Sequence, residues 1–156
     1  AEEGKTGEEI AALLYETRYD SSIYITVDTL KYLKKGGRVT PAAAALGTLL
    51  RIKPVLTIQG EKLDAFAKAR TMKQAKTIML SALKHDLEER FSDGEARHSF
   101  LQIAHTANFD AAEELKQELA ELYPGAPIHA DPLSLSVACH IGPGALAVAC
   151  TKMLEG

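Results

Sequence analysis

Apolar runs long enough to cross a bilayer, roughly 20 residues, are absent from this 156-residue sequence. Neither charge dominates: 18 lysines and arginines face 21 aspartates and glutamates, the net charge is −3 and the pI is about 6.0. Nothing in that balance attracts a nucleic-acid backbone in bulk. Cysteine is scarce, with only Cys139 and Cys150, and neither has metal-ligand spacing with a histidine. They flank a glycine-rich turn and could lie on paired strands; we read them as small buried apolar residues in a reducing cytoplasm rather than as a bridge. The five histidines form no HExxH, and CxxC, GxGxxG and P-loop patterns are missing. The common zinc, redox, dinucleotide and nucleotide-phosphate motifs are therefore not represented. The opening Ala-Glu-Glu-Gly-Lys carries no signal-peptide pattern, and a first residue other than methionine leads us to expect a cut or processed terminus.

What is present is a composition that can bury a core: 46% hydrophobic and 25% charged residues in a chain of one-domain size. Thr6-Gly7-Glu8-Glu9 is a capping-box pattern, with Ile10, Leu13 and Leu14 following at helical spacing. Ser22 to Val27 is β-branched and aromatic and predicts a short strand. Leu30 and Leu33 lie three apart on one face of a short helix whose wet side carries Lys31, Lys34 and Lys35. Gly36 and Gly37 stop that helix, Arg38 follows, and Thr40-Pro41 supplies an N-cap and first helical position. A helix over residues 41–50 is expected, rich in alanine and carrying Gly47, Leu49 and Leu50.

Lys53–Ile58 and Lys62–Ala69, joined by Gln59-Gly60-Glu61, predict a β-hairpin. Helical stripes run from Met72 to Arg90 and from Asp110 to Leu122, and Ser99–Ala104 between them reads as a buried strand. Leu133, Leu135, Val137 and Cys139 alternate with Ser134, Ser136, Ala138 and His140, which predicts a strand ending at His140. Gly142-Pro143-Gly144 then turns into a last strand over Ala145–Lys152. Helices and strands mix without strict βαβ alternation. The expected fold is a single two-layer α/β sandwich, a mixed sheet with helices mainly on one face.

His140 stands just before the glycine-proline-glycine turn. An imidazole there donates one hydrogen bond when neutral and adds charge when protonated, which suits an anionic head group; a structural histidine is the alternative. Gly142 and Gly144 leave room beside it and are expected to expose N–H groups. Arg38 either pairs with a surface carboxylate or meets a phosphate or partner through its planar guanidinium. Arg70 has the same two readings, and Lys53 marks the wet face of a strand. His105 reads as a loop or capping residue, and no triad can be built from Ser134 or Ser136 with His140.

Taken in order, Val27–Thr40 with its Gly36-Gly37-Arg38, Ile52–Leu56, Ala69-Arg70-Thr71 and His140–Leu146 resemble the C-terminal part of the DegV family of bacterial fatty-acid-binding proteins. The similarity runs from about Ile23 to Ala149. No Thr-Asp-Ser or Ser-Gly-Thr of the family's N-terminal domain is found, so a chain of this half alone is expected. The resemblance implies a lipid carrier without catalysis, metal or cofactor. His140, Gly142 and Gly144 would meet the fatty-acid head group, and Arg38 and Arg70 a phosphate or partner. The implied partners are a long-chain fatty acid held weakly by this half, the missing domain, and a fatty acid kinase. The residues themselves leave open an enzyme using His140 on a small phosphate or carboxylate, and a module docking a partner through the Lys31–Arg38 edge.

Overall fold

The computed structural model describes residues 4–46, 52–58 and 62–154. Six strands, β1 (Ser21–Thr26), β2 (Lys53–Ile58), β3 (Leu63–Ala69), β4 (Ser99–His105), β5 (Ile128–Pro132) and β6 (Leu146–Lys152), form one open sheet in the order β3-β2-β1-β6-β4-β5. All neighbours are antiparallel except β4 and β5. That parallel pair is bridged by helix α5 (Phe109–Leu122), as a parallel connection requires.

Because successive strand residues point to opposite faces, each strand divides its side chains between two cores. On β1, Tyr24 joins one cluster and Ile25 the other. The larger cluster packs α4 (Met72–His85) and α5 against the sheet through Met79, Leu83, Leu115 and Leu119, all fully buried. The smaller one sets three short helices, α2 (Lys31–Lys35), α3 (Pro41–Leu46) and α6 (Leu135–Ile141), on the opposite face around Leu33, Leu46, Leu56 and Ile141. The long helices thus share one face, and the short ones cover part of the other.

Helix α1 (Gly7–Glu16) has the expected capping box: the Glu9 N–H donates to Thr6 Oγ1 at 3.3 Å, and the Thr6 N–H donates to Glu9 Oε2 at 2.7 Å. The hairpin strands pair as expected, with a bulge between Val55 and Leu56; Gln59–Glu61 lie outside the described residues. Of the expected helix over 41–50, the part to Leu46 is present, and Gly47, Leu49 and Leu50 lie outside the described residues. The stripe from Met72 to Arg90 is helical throughout but widens into a π turn over Asp86–Arg90. There Asp86 is buried and compensated, accepting from Tyr24 Oη at 2.5 Å and lying 3.4 Å from the Arg90 guanidinium.

Two expectations are corrected. The alternation from Leu133 to His140 is not a strand: Ser134 takes extended angles at the N-cap, and α6 follows it. Its backbone closes helical bonds from Ala138 N–H to Ser134 O and from Gly142 N–H to Ala138 O, at 2.9 and 2.8 Å. Alternation over so few residues does not fix the period, and here Leu135, Val137 and Cys139 all remain exposed. A strand that the pattern missed, β5, is short and polar, with Pro132 at its end, where an edge strand tolerates it.

Cys139 consequently sits exposed on α6 rather than buried on a strand, while Cys150 is fully buried on β6; both are free thiols. Burial first, then the nearby Asp86 carboxylate, pushes the Cys150 thiol up from 9.0 to about 12. The same two influences, in the same order, raise Tyr24 above its ordinary 10.0.

A disulfide reagent should therefore titrate one thiol in the native chain and the second only after unfolding; two fast native thiols would contradict the placement of Cys150. Both groups hold their protons more tightly when folded, so their stability contribution is intact below the unfolded values of 9.0 and 10.0 and is lost as pH climbs beyond them. Denaturation midpoints should fall on the alkaline side of pH 9, with the first part of that fall absent from Cys150→Ala.

Candidate functional site

Helix α2 ends in a Schellman motif. The Arg38 N–H donates to Leu33 O at 3.1 Å and the Gly37 N–H to Lys34 O at 3.2 Å, with Gly37 at φ +64°. Arg38 emerges from this turn with its backbone tied to the sheet edge: its carbonyl accepts the Leu63 N–H at 3.1 Å, and the Thr40 N–H donates to Leu63 O at 3.0 Å. Thr40 Oγ1 accepts the Ala43 N–H at 3.2 Å, capping α3, and donates to Asp64 Oδ1 at 2.5 Å.

The glycine-proline-glycine corner is clamped from the other side by Thr106, which follows β4. Thr106 Oγ1 donates to Gly142 O at 2.5 Å and accepts the Ala145 N–H at 3.0 Å; Thr106 O accepts the Gly144 N–H at 2.7 Å. Since the Gly142 N–H is held by Ala138 O, neither glycine N–H stands exposed, contrary to expectation. Gly142, at φ +82° and ψ 173°, occupies backbone space that essentially only glycine enters. Gly144 lies against Asp28, whose carboxylate pairs with the Lys53 ammonium, so Lys53 marks an ion pair and not merely a wet face.

The two turns interlock. A Cβ on Gly142 would come 2.3 Å from Tyr32 Cδ2, so the Tyr32 ring lies directly on that glycine. A Cβ on Gly36 would come 3.0 Å from His140 Nδ1, so the imidazole lies on the glycine at the end of α2. Each turn seats a ring from the other. Between them opens a cavity of about 360 Å³ with Leu33, Leu63 and Ile141 among its walls. Val137 and Ser136 extend it along α6, and Arg38 and His140 also line it. Both basic side chains are exposed and, among the described residues, form no ion pair or hydrogen bond. Ser136 Oγ lies 3.0 Å from Ser134 Oγ, and no hydrogen bond joins it to His140.

Arg70 is elsewhere. It follows the last residue of β3, its N–H donates to Gln74 Oε1 at 2.8 Å ahead of α4, and it does not line this cavity. His105 acts partly as expected, its Nδ1 accepting the Asn108 N–H at 3.3 Å where α5 begins. Tyr32 was not singled out, and no local signal marks it: its partner glycine is remote in sequence. Ser136 and Val137 line the cavity with His140 because α6 is a helix and not the strand that the alternation predicts.

The site is thus an open apolar cavity bordered by two basic side chains on a mixed α/β sheet, with no metal-holding cluster among the described residues. Residues 1–153 match the family model described as an uncharacterised protein of the DegV family, and the chain belongs to that family. It is 37% identical over 147 residues to a DegV domain-containing protein of Clostridium perfringens, covering 94% of this chain and 48% of that protein. One from Clostridium acetobutylicum is 34% identical, with 96% and 50% covered. The chain thus spans about half the length of the curated relatives it matches. Among solved structures, a fatty acid binding DegV family protein from Streptococcus agalactiae superposes with a TM-score of 0.82 at 28% identity, covering 98% of this chain and 52% of that one. A DegV family protein from Thermus thermophilus, described for its fatty acid binding, gives 0.79 at 32% identity, with 97% and 52% covered.

Gly142→Ala should destabilise the chain by about 1–3 kcal/mol through backbone strain alone, with the clash against Tyr32 added. Tyr32→Ala in the same chain should recover only part of the loss. Denaturant midpoints of the single and double variants measure this, and a full recovery would mean that the φ at Gly142 carries no cost.

Proposed function

We propose that this chain binds a long-chain fatty acid as one half of a two-domain carrier, the other half covering the cavity beside α6. The observation that carries the reading is the cavity itself: an apolar floor, two basic groups beside it that are unpaired among the described residues, and an α6 surface left open, with Leu135 at 79% and Val137 at 42% exposure. Apolar surface of this kind asks for a cover. Transfer of an acyl chain from water is worth about 0.8 kcal/mol per methylene, or roughly 11 kcal/mol gross for about 14 of them. The tail then supplies affinity, and a few polar groups orient the head.

His140 and Arg38 are the groups suited to the anionic head, the first by a ring N–H and the second by a planar cation. Gly142 and Gly144 shape the corner instead of donating to the ligand. The fatty-acid-binding descriptions of the Streptococcus and Thermus proteins support the same ligand class. Arg70 remains suited to a phosphate or partner on a separate part of the surface. We further infer that the bound acid is presented to a separate fatty acid kinase in the cytoplasm, with Lys34 and Lys35 on the partner-facing edge; two free thiols fit such a reducing compartment.

Native mass spectrometry with palmitate tests the reading. A protein of the relatives' full length should retain one palmitate, this chain alone little or none, and His140→Ala in the longer protein should weaken retention about tenfold. Lys34→Ala with Lys35→Ala should leave retention unchanged while weakening kinase association. A longer protein that retains no palmitate overturns the carrier reading.

A further inference from the structure

Helix α6 has a second cleft on its other flank. About 300 Å³ in volume, it lies between α6 and the ends of β4 and β5, with His105, Pro132, Leu133, Leu135, Cys139 and Pro143 among its lining. Among the described residues, no lysine, arginine, aspartate or glutamate lines it. The His105 ring, 7% exposed, is the polar feature of interest. Its Nδ1 accepts the Asn108 N–H, so the ring proton resides on Nε2, and among the described residues Nε2 has no partner. Nε2 is not sealed from solvent, since among the described residues the buried side-chain atom without a partner is Thr26 Oγ1, so a ligand oxygen would take the place of water on this donor.

We propose that this cleft is a second ligand site, which takes a small apolar molecule through a neutral carbonyl oxygen: an acyl ester, amide or thioester, hydrogen-bonded to His105 Nε2–H. A carboxylate is the poorer fit, because its charge would enter an apolar cleft that offers one neutral donor and no cation. The two flanks of α6 differ on this point. The cavity holding His140 and Arg38 suits a charged head, and the His105 cleft suits an uncharged one.

Cys139 lines the cleft and reports on it. The test measures the rate at which a disulfide reagent labels Cys139 in the intact 156-residue chain, with methyl octanoate or octanoate added. The ester should slow labelling in a saturable way and shift the ¹⁵N signals of the His105 ring while leaving those of His85 and His98 in place. Octanoate should need a concentration several-fold higher. His105→Phe keeps the shape and removes the donor, and should raise the ester concentration required by about fivefold. Should that variant fail to fold, Leu135→Ser at the exposed lip decides, with weaker protection expected. Equal protection by octanoate and ester, no protection by either, or undiminished protection in the variant that folds would each overturn the proposal. None of these results depends on whether palmitate binds beside His140.

Discussion

The exchange of rings between two glycine turns is the contact on which the rest of the site depends. Tyr32 of α2 rests on Gly142, and His140 of α6 rests on Gly36. A side chain at Gly142 would overlap the Tyr32 ring, and one at Gly36 would crowd the His140 imidazole. The interlock fixes where α2 and α6 lie relative to each other, and with them Arg38 and His140. Neither helix could do this alone, since α2 buries only Leu33 and α6 only Ile141. The rigidity comes from the turns: a Schellman motif under one ring, and a corner clamped through Thr106 under the other.

Around that fixed pair the chemistry divides by charge. On one flank of α6, Arg38 and His140, without partners among the described residues, border a cavity walled by leucine and isoleucine. On the other flank His105 is among the residues lining an apolar cleft. The buried Asp86, by contrast, is fully compensated by Tyr24 and Arg90 and lies on the opposite face of the sheet, so it belongs to the core that holds α4 in place. Thr26, also wholly buried, keeps a side-chain oxygen without a partner among the described residues.

Much of the fold was legible because its strongest signals are local. The capping box at Thr6, the stripes of α4 and α5 and the hairpin of β2 and β3 rest on spacings that tertiary contacts do not override. Where context decides, local reading failed. Leu133 to Cys139 alternates like a strand, yet Leu135, Val137 and Cys139 are exposed, because they face clefts and an open surface, while Leu133 packs against the smaller core. The β5 strand carries too little apolar content to announce itself and forms because β4 offers it a parallel edge. Arg38 and His140 could each be picked out by their glycine neighbours, but their common cavity could not, since it exists only once distant turns meet. The resemblance placed Arg70 with Arg38 by function, and their separation in space became visible only in three dimensions.

The position of β6 has a consequence for how the molecule is made. It pairs with β1 on one side, Ser21 opposite Thr151, and with β4 on the other. Among the described residues, the strands β1, β2 and β3 are joined to β4 and β5 within the sheet through β6. Such long-range closure is slow compared with local folding. Pairing of β6 with β1 and β4 therefore joins the two parts of the sheet, and β6 directly follows the corner that ends α6.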